Sequence, residues 1–329
     1  MDMRVTVAGA GPAGASAAIA AAIGGAEVTL YDRSKFPRHK VCGEFLSPEL
    51  LGPLERLGVL PRVYAAGAVR IERLRLRFPS SEKNARLPET AIGLSRYTFD
   101  ALLVDRAIEC GAMLRREAAD LSTRPLVDAT GRRPAKAPKG ERLFGFKAHY
   151  DGPVNDAIEL HFFANTYVGV NCIEGGGTNV CGIAPESLLK RCNFDYDAVL
   201  DASDAMRERL RPLTRSMDWL SVGPLEFGNR FGVEGEAGVY PAGDALSFVD
   251  PFTGTGLAGA VITGQLAGEA AARGEAVARY IERCQGSLKR PFAAASLFRA
   301  ALRTRWAEAA ASVVPADWLV RWTRPRRAA

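Results

Sequence analysis

The order of apolar and polar positions divides the chain into two kinds of structure. Val5, Val7 and Ala8 make a short apolar run that predicts a buried strand. Ala13 to Gly24 is alanine-rich and helical in character, and Val28 to Tyr31 is a second apolar run, so the chain opens strand–helix–strand. Ser47-Pro48 predicts a helix start, with Ser at the cap and Pro in the first turn. From Arg73 to Phe78 the alternation is strict: Leu74, Leu76 and Phe78 face one side and Arg73, Arg75 and Arg77 the other, as in a half-exposed strand. Phe99, Leu102, Leu103 and Ala107 place an apolar stripe on a helix that Gly111 ends.

Between Leu143 and Ile183 the pattern changes to short strands separated by Gly, Asn and Asp. Ile158, Leu160 and Phe162 alternate around Glu159 and His161, and Tyr167–Ile173 and Asn179–Ile183 flank Gly175-Gly176-Gly177. This predicts an antiparallel sheet, distinct from the parallel start. After Gly243 the pattern is helical. The fold class is α/β with an α+β second unit: a Rossmann-type dinucleotide-binding domain interleaved with an antiparallel-sheet substrate domain, and a helical C-terminus. The expected boundaries are 1–66, 92–140 and 224–275 for the first domain, 67–91 and 141–223 for the second, and 276–329 for the C-terminal helical segment.

The 329 residues are 47% hydrophobic and 24% charged, an ordinary globular composition. The net charge of +6 is concentrated towards the end, in Arg303, Arg305, Arg321, Arg324, Arg326 and Arg327. The plain reading is a solvated helical face with a basic tail, and nucleic acid is not expected as a partner. Six cysteines (Cys42, Cys110, Cys172, Cys181, Cys192, Cys284) lack CxxC spacing, so neither a zinc site nor a disulfide scaffold is indicated, and reduced thiols in a cytoplasmic protein are the expectation. The apolar N-terminal run is interrupted by Gly9, Gly11, Pro12 and Gly14, which argues against a signal peptide. No transmembrane helix is expected.

Those glycines form the first motif. Gly9-Ala10-Gly11-Pro12-Ala13-Gly14 joins a strand to a helix: Gly9 permits the tight turn, Gly11 lets backbone approach a pyrophosphate, and Gly14 lets the helix pack on the strands. The helix N-terminus then offers free N–H groups to the anion. Asp32 follows Gly14 by 18 residues, at the end of the second strand, where a carboxylate accepts ribose hydroxyls. The motif alone does not separate FAD from NAD. A second element, Val127-Asp128-Ala129-Thr130-Gly131-Arg132, delivers an Asp and a turning Gly from a strand; in isolation it reads as an ordinary strand-end turn. In the third, Gly243-Asp244 ends a strand, and Asp250-Pro251-Phe252-Thr253-Gly254-Thr255-Gly256 leads into a long helix from Leu257. A second helix dipole there would favour negative charge on a ligand.

GAGPAG with Asp32, then DATGRRP, then GDALSFVDPFTGTG resemble, in that order, FAD-dependent enzymes of the para-hydroxybenzoate hydroxylase fold, the relatives of the group A flavoprotein monooxygenases. Lys40-Val41-Cys42-Gly43-Glu44, Ser47-Pro48 and Ser95-Arg96 before Phe99-Asp100 and Leu102 resemble the geranylgeranyl-reductase-like branch. The resemblance implies FAD as cofactor, with Gly9, Gly11 and Gly14 at its pyrophosphate, Asp32 at the adenosine ribose, Arg96 neutralising a phosphate, and Pro12, Ala13, Arg33 and Lys40 among the cofactor contacts. Asp128 and Gly131 would support the site, Asp244 would hydrogen-bond the ribityl chain with Gly243 also among the cofactor contacts, and Pro251, Gly254, Thr255 and Gly256 would lie against the isoalloxazine. Cys42 would sit near the flavin. Only 16 residues lie between Gly111 and Asp128, where relatives place a β-meander at the adenine, and the halogenase tryptophan motif is absent, Ser216-Met217-Asp218-Trp219 being no substitute.

Cys42 and Pro251 are the catalytic candidates, although a small buried hydrophobe explains Cys42 equally well. His39, His149 and His161 lack ligand spacing and read as structural; His161 alternates within the substrate sheet, which leaves open a position facing the pocket. Two enzymatic functions follow. The first is an NAD(P)H-dependent monooxygenase that hydroxylates an apolar or aromatic, polyketide- or lipid-like molecule through a flavin C4a-hydroperoxide. The second is an FAD-dependent ene-reductase of the geranylgeranyl-reductase type. A flavin-binding protein without catalysis is the third reading, opposed by the intact Gly9, Gly11, Asp32, Asp244 and Gly256. Trp306, Trp318, Leu319, Val320 and Trp322 with their arginines suit a membrane surface, giving a protein peripheral to the inner face of the membrane. Packing of that segment on the core is the plainer alternative.

Overall fold

A computed structural model describes residues 3–132, 141–229, 231, 236–248, 251 and 254–288. The opening unit is β1 (Arg4–Ala8), α1 (Pro12–Ile23) and β2 (Glu27–Tyr31), as the apolar pattern predicts. After β3 (Phe45–Leu46), Pro48 begins a short 3-10 turn that leads into α2 (Leu51–Arg56), and α3 (Leu60–Ala65) follows. Ser47 precedes this turn, but its hydroxyl caps nothing. Next come β4 (Val69–Arg77), β5 (Glu82–Gly93), α4 (Arg96–Glu109), β6 (Met113–Arg115) and β7 (Leu126–Asp128). Ser95 caps α4 by accepting from the Thr98 amide, and Gly111 leaves the helix at a φ of 99°.

The second half supplies β8 (Leu143–Asp151), β9 (Ala157–Phe163), β10 (Thr166–Cys172) and β11 (Gly177–Pro185), then α5 (Glu186–Arg191), α6 (Tyr196–Asp201) and α7 (Asp204–Leu210). Short strands β12 (Thr214–Arg215), β13 (Leu220–Val222), β14 (Gly228–Asn229), β15 (Val239–Pro241) and β16 (Ser247–Phe248) precede α8 (Gly256–Arg273). Residues 277–288 are helical again, and the Trp/Arg segment from Trp306 onward lies outside the described residues. Among the described residues no helix is long and apolar enough to cross a membrane.

Two sheets organise most of these elements, while β14 and β16 pair with each other in a separate two-stranded ribbon. The smaller has five parallel strands in the order β15-β7-β1-β2-β6. In place of a meander between β6 and β7 the chain makes a turn in which the Ser122 amide and hydroxyl both donate to Asp120. The larger sheet runs β12-β8-β11-β10-β9-β4-β5-β3, with β13 also on β8. It is antiparallel except where β4 lies parallel to β9, Leu74 opposite Ile158 and Leu76 opposite Leu160.

α1 packs on α8 with almost no side chain between them. A Cβ on Gly264 would lie 2.1 Å from the carbonyl oxygen of Ala13, and one on Gly268 2.1 Å from that of Ala17. The two helices therefore run in the same direction at backbone contact. With Gly264 level with Ala13, Gly256 lies eight residues before that level and Pro12 only one, so the start of α8 projects about 10 Å beyond the start of α1, at 1.5 Å per residue.

Alternation sorts the larger sheet into two faces. Phe146, Ala148, Val168, Val170 and Val180 pack beneath α5–α7. Glu159 and His161 point to this side as well, the opposite side from Leu160 and Phe162, so His161 does not face the pocket. The Glu159 carboxylate accepts from Arg209 Nε at 2.7 Å and Asn155 Nδ2 at 2.9 Å. Burial works against this carboxylate, but its partners, His161 and Arg209 foremost, outweigh burial and hold its pKa at about 2, against an ordinary 4.5. A depressed folded-state pKa contributes stability that is complete above the unfolded value and is lost as pH falls through the folded one. The urea midpoint is therefore expected to drop between pH 4.5 and pH 2, and Glu159→Gln to flatten that slope.

Candidate flavin site

Gly9, at the end of β1, has a φ of 97°, and a Cβ there would lie 2.3 Å from the Ala129 carbonyl oxygen. Gly14 is tighter still: its Cβ would be 1.7 Å from the Gly9 carbonyl oxygen. Gly11 differs. A Cβ on it would meet only Arg96 Nη2, at 3.9 Å, so the backbone at the start of α1 fronts open space roofed by a guanidinium. Pro12 and Ala13, in the first turn of α1, are buried. Neither α1, after Gly11, nor α8, after Thr255, has a side-chain cap, and neither has an acidic residue in its first turn. Gly256 likewise faces open space. Two uncapped helix ends pointing the same way thus favour negative charge at two places offset by about 10 Å along the helices.

The side chains around this path are charged accordingly. Asp32 accepts from the Ala10 amide at 2.9 Å, the Ser34 amide at 2.8 Å and both Arg38 terminal nitrogens at 3.0 Å. Burial opposes the carboxylate, but these amides and Arg38 hold its pKa below the usual range. Arg33 is exposed beside it. Lys40 has its pKa lowered by burial and by the like charges of Arg38 and Arg96. Arg96 itself is paired with buried Asp100 and stays charged despite burial. Arg38, Lys40 and Arg96 together form the cationic wall that a pyrophosphate needs.

Asp244 sits between the two helix ends, on a 3-10 turn opened by Gly243. Gly243 has a φ of 59°, and its Cβ would be 2.8 Å from that of Ala13. The Asp244 side chain is open to solvent although protein atoms crowd it, as expected of a group lining a cleft. That crowding raises its pKa against the pull of Arg132 and Arg96. Asp128 instead turns on its own loop, accepting from the Thr130 amide at 3.2 Å and the Thr130 hydroxyl at 2.6 Å, while its carbonyl accepts from Ala242. Gly131 takes a φ of 86° with nothing near its Cβ position. Pro251 is exposed and accepts from the Gly254 amide. Gly254 has a φ of 64°, and its Cβ would come 3.0 Å from Phe45 Cδ1. Thr255 is buried at the head of α8.

Phe45 ties this loop to the other face of the larger sheet. There Ile71, Leu74, Leu76, Phe78, Leu87, Ile158 and Phe162 make an apolar wall, with Leu160 and Tyr167 partly exposed beside it. The same face ends in polar residues, because Lys147 and His149 on β8 stand opposite Cys181 and Asn179 on β11. Over them lies the Cys42–Glu44 loop. Glu44 has a φ of 52° and a fully buried carboxylate, which pairs with Lys147 and with His149 Nε2 at 2.7 Å and accepts the Arg96 amide at 2.6 Å. Burial would raise the Glu44 pKa, but His149 and Lys147 bring it below the ordinary range. Cys42 is half-buried and receives the Glu44 amide on its sulfur at 3.4 Å. Burial raises its pKa, with Arg96 as the main opposing charge, so the thiol stays protonated. Sequence reasoning missed Glu44, Lys147 and His149 as a unit. Their one legible signal was a lysine among the strand residues Phe146 and Ala148.

These residues fit FAD. Bare backbone at Gly11 and Gly256, free N–H groups at both helix ends, an acid at Asp32 and a cationic wall are what a long, doubly charged dinucleotide requires.

Comparison with known proteins agrees. The FAD binding domain family model matches residues 2–128. The chain is 49% identical over 55 residues to a menaquinone reductase of Mycolicibacterium smegmatis, a stretch covering 17% of this chain and 13% of that protein. It is 27% identical to digeranylgeranylglycerophospholipid reductase 2 of Methanopyrus kandleri, over 83% of this chain and 77% of the relative. Among solved structures, the flavin-dependent brominase Bmp2 superimposes with a TM-score of 0.77 at 20% identity, covering 98% of this chain and 93% of that one. Two uncapped helix ends and bare glycine backbone agree with the family match over residues 2–128 and with the superposition on the brominase: the chain has the fold of FAD-binding flavoproteins of the para-hydroxybenzoate hydroxylase type.

Proposed function

We propose that the protein reduces a carbon–carbon double bond in an apolar substrate of prenyl or polyketide type, with NAD(P)H as the electron source. The observation that carries this reading is the place of Cys42: half-buried, with the Glu44 amide on its sulfur, between the pyrophosphate cradle and the apolar sheet face, where burial raises the thiol pKa against the pull of Arg96. FAD bound along this cradle supplies hydride. Reduction of an alkene also needs a proton, and a thiol held neutral by burial is a suitable donor. The wall from Phe45 to Phe162 would hold the apolar chain and keep water from the reacting carbon. Arg96, Arg38 and Lys40 would anchor the cofactor phosphates, and Asp32 its ribose. The reductases among the relatives support this direction of chemistry.

Cys42→Ser, tested anaerobically with a panel of polyprenyl alkenes, is expected to leave flavin bleaching by NADH or NADPH unchanged. Formation of saturated product should fall about 100-fold, the typical worth of a positioned acid. Equal product yields in both proteins would remove Cys42 from the reaction. Monooxygenation of an aromatic substrate is the second reading, favoured by the superposition on a flavin-dependent brominase over nearly the whole chain. Mixing the reduced protein with isotopically labelled oxygen separates the two: label in the product means oxygenation, and saturated, unlabelled product means reduction.

A further inference from the structure

Two carboxylates from distant parts of the chain meet at the start of α4. The Arg96 amide donates to Glu44 at 2.6 Å, and the preceding Ser95 amide donates to Glu174 at 2.7 Å. Glu174 lies in the turn between β10 and β11, which Gly175 and Gly176 bend with φ of 69° and 78°. It also accepts from the Ser95 hydroxyl, and from the Thr98 hydroxyl at 2.5 Å. One carboxylate thus takes three donors from α4 and its cap, where the helix dipole favours negative charge.

Two further contacts tie this place to the same strands. A Cβ on Gly93, at the end of β5, would lie 1.9 Å from the Cys172 carbonyl oxygen at the end of β10, so the chain enters α4 in backbone contact with that strand. The loop carrying Glu44 is held from β10 and β11 as well. Asn171 donates to the Glu44 carbonyl at 3.4 Å and Asn179 to the Cys42 carbonyl at 3.2 Å. The Arg96 side chain leaves this anchored start towards α1. Asp100, one helical turn on, accepts from Nε at 2.5 Å and from Nη2 at 2.8 Å, and Nη2 stands 3.9 Å from where a Cβ on Gly11 would be. Asp100 belongs to α4, so it orients the guanidinium on the helix. Glu44 and Glu174 orient the helix on the cradle.

We propose that Glu174 is a positioning residue for the cofactor: through the start of α4 it holds Arg96 over the pyrophosphate cradle, so that FAD affinity depends on a turn of the larger sheet. The proposal rests on Arg96 meeting a cofactor phosphate. A guanidinium grips phosphate through a rigid fork of donors, so a small shift of its backbone costs both bonds of the fork. The coupling is reciprocal, and bound FAD steadies the β10–β11 turn in return.

The test loads the full chain with excess FAD and follows release on dilution by the recovery of flavin fluorescence, since such effects fall mainly on dissociation. Glu174→Ala is expected to speed release about ten-fold, and Glu174→Gln, which keeps an acceptor for the Ser95 amide, to return most of that loss. Arg96→Met with Asp100→Asn then removes the guanidinium without stranding the buried Asp100 carboxylate. In that background Glu174→Ala should change release by less than about two-fold, because no guanidinium is left to misplace. Equal speeding in both backgrounds overturns the proposal, since Glu174 would then only steady the fold. Wild-type release in Glu174→Ala overturns it too. If Glu174→Ala does not fold, Thr98→Val, which removes one of the three donors, goes through the same comparison. Arg96→Met with Asp100→Asn alone separates the two failures. Release no faster than wild type there removes Arg96 from the cofactor, and the proposal with it. Fast release there beside wild-type release in Glu174→Ala overturns the positioning alone.

Discussion

Gly14→Ala is expected to yield protein without bound flavin. The added methyl would sit 1.7 Å from the Gly9 carbonyl oxygen and 3.2 Å from the Ala129 Cβ, and the nearer of these is backbone that cannot rotate away. Relief requires α1 to withdraw from β1 by more than about 1 Å, a misplacement that costs on the order of 100-fold where groups act by position. Overpacking adds about 1–3 kcal/mol of lost stability. Gly11→Ala provides the contrast, because its methyl meets only Arg96 Nη2 at 3.9 Å. That variant should fold with an unchanged melting temperature yet bind FAD weakly, the methyl standing in the space left for pyrophosphate. Flavin content after purification, with fluorescence titration of FAD into both variants, measures the difference. Full flavin content in Gly14→Ala would mean that the turn is not the cradle.

The other large effect lies in the buried ion pair. Lys147→Met leaves the Glu44 carboxylate enclosed without its main countercharge, and breaking such a pair from one side typically costs about 3–5 kcal/mol. The pH dependence carries the sign. The Glu44 pKa lies below its ordinary 4.5 in the folded state, so its contribution is fully present above that value and fades as pH falls through the folded one. The deficit of Lys147→Met should therefore be largest near neutrality and shrink in acid, where Glu44 takes up a proton. Lys147→Met combined with Glu44→Gln should regain part of the loss, since two neutral groups replace one stranded charge. Urea unfolding at pH 7 and pH 4 provides the comparison. The exposed pair Arg4–Glu27 serves as a control, and its loss should cost less than about 1 kcal/mol.

The contrast between these two sites shows what could be read from the residues alone. The nucleotide turn was legible because its parts are neighbours: strand, glycines and helix follow one another within residues 4–23, and Asp32 ends the next strand. Alternation likewise revealed β4 and β9 as strands. It could not say that they lie side by side, since alternation gives a strand its two faces but no partner. The polar cluster stayed hidden for the same reason. Glu44 sits in a loop and meets Lys147 and His149 more than a hundred residues later, and only the β8–β11–β10 register brings the two asparagines beneath it. For His161 alternation was right, but which face is covered by α7 depends on where Arg209 falls. Asp128 was visible as a strand end, yet its short reach to Thr130 makes it a brace for its own turn.

The parallel ladder between β4 and β9 also governs how the chain can be assembled. Between these paired strands the polypeptide makes β5 and α4, then adds β6 and β7 to the other sheet. One sheet is thus left half-built while the other is extended. During synthesis the outer edge of β4 remains bare until residue 163 has left the ribosome, and a bare edge of alternating Leu and Arg is a template for pairing with a second chain. The arginines along that edge (Arg73, Arg75 and Arg77) are the charged side chains that discourage such pairing. They would then protect a nascent chain during the interval in which β1, β2, β6 and β7 have been made and β9 has not.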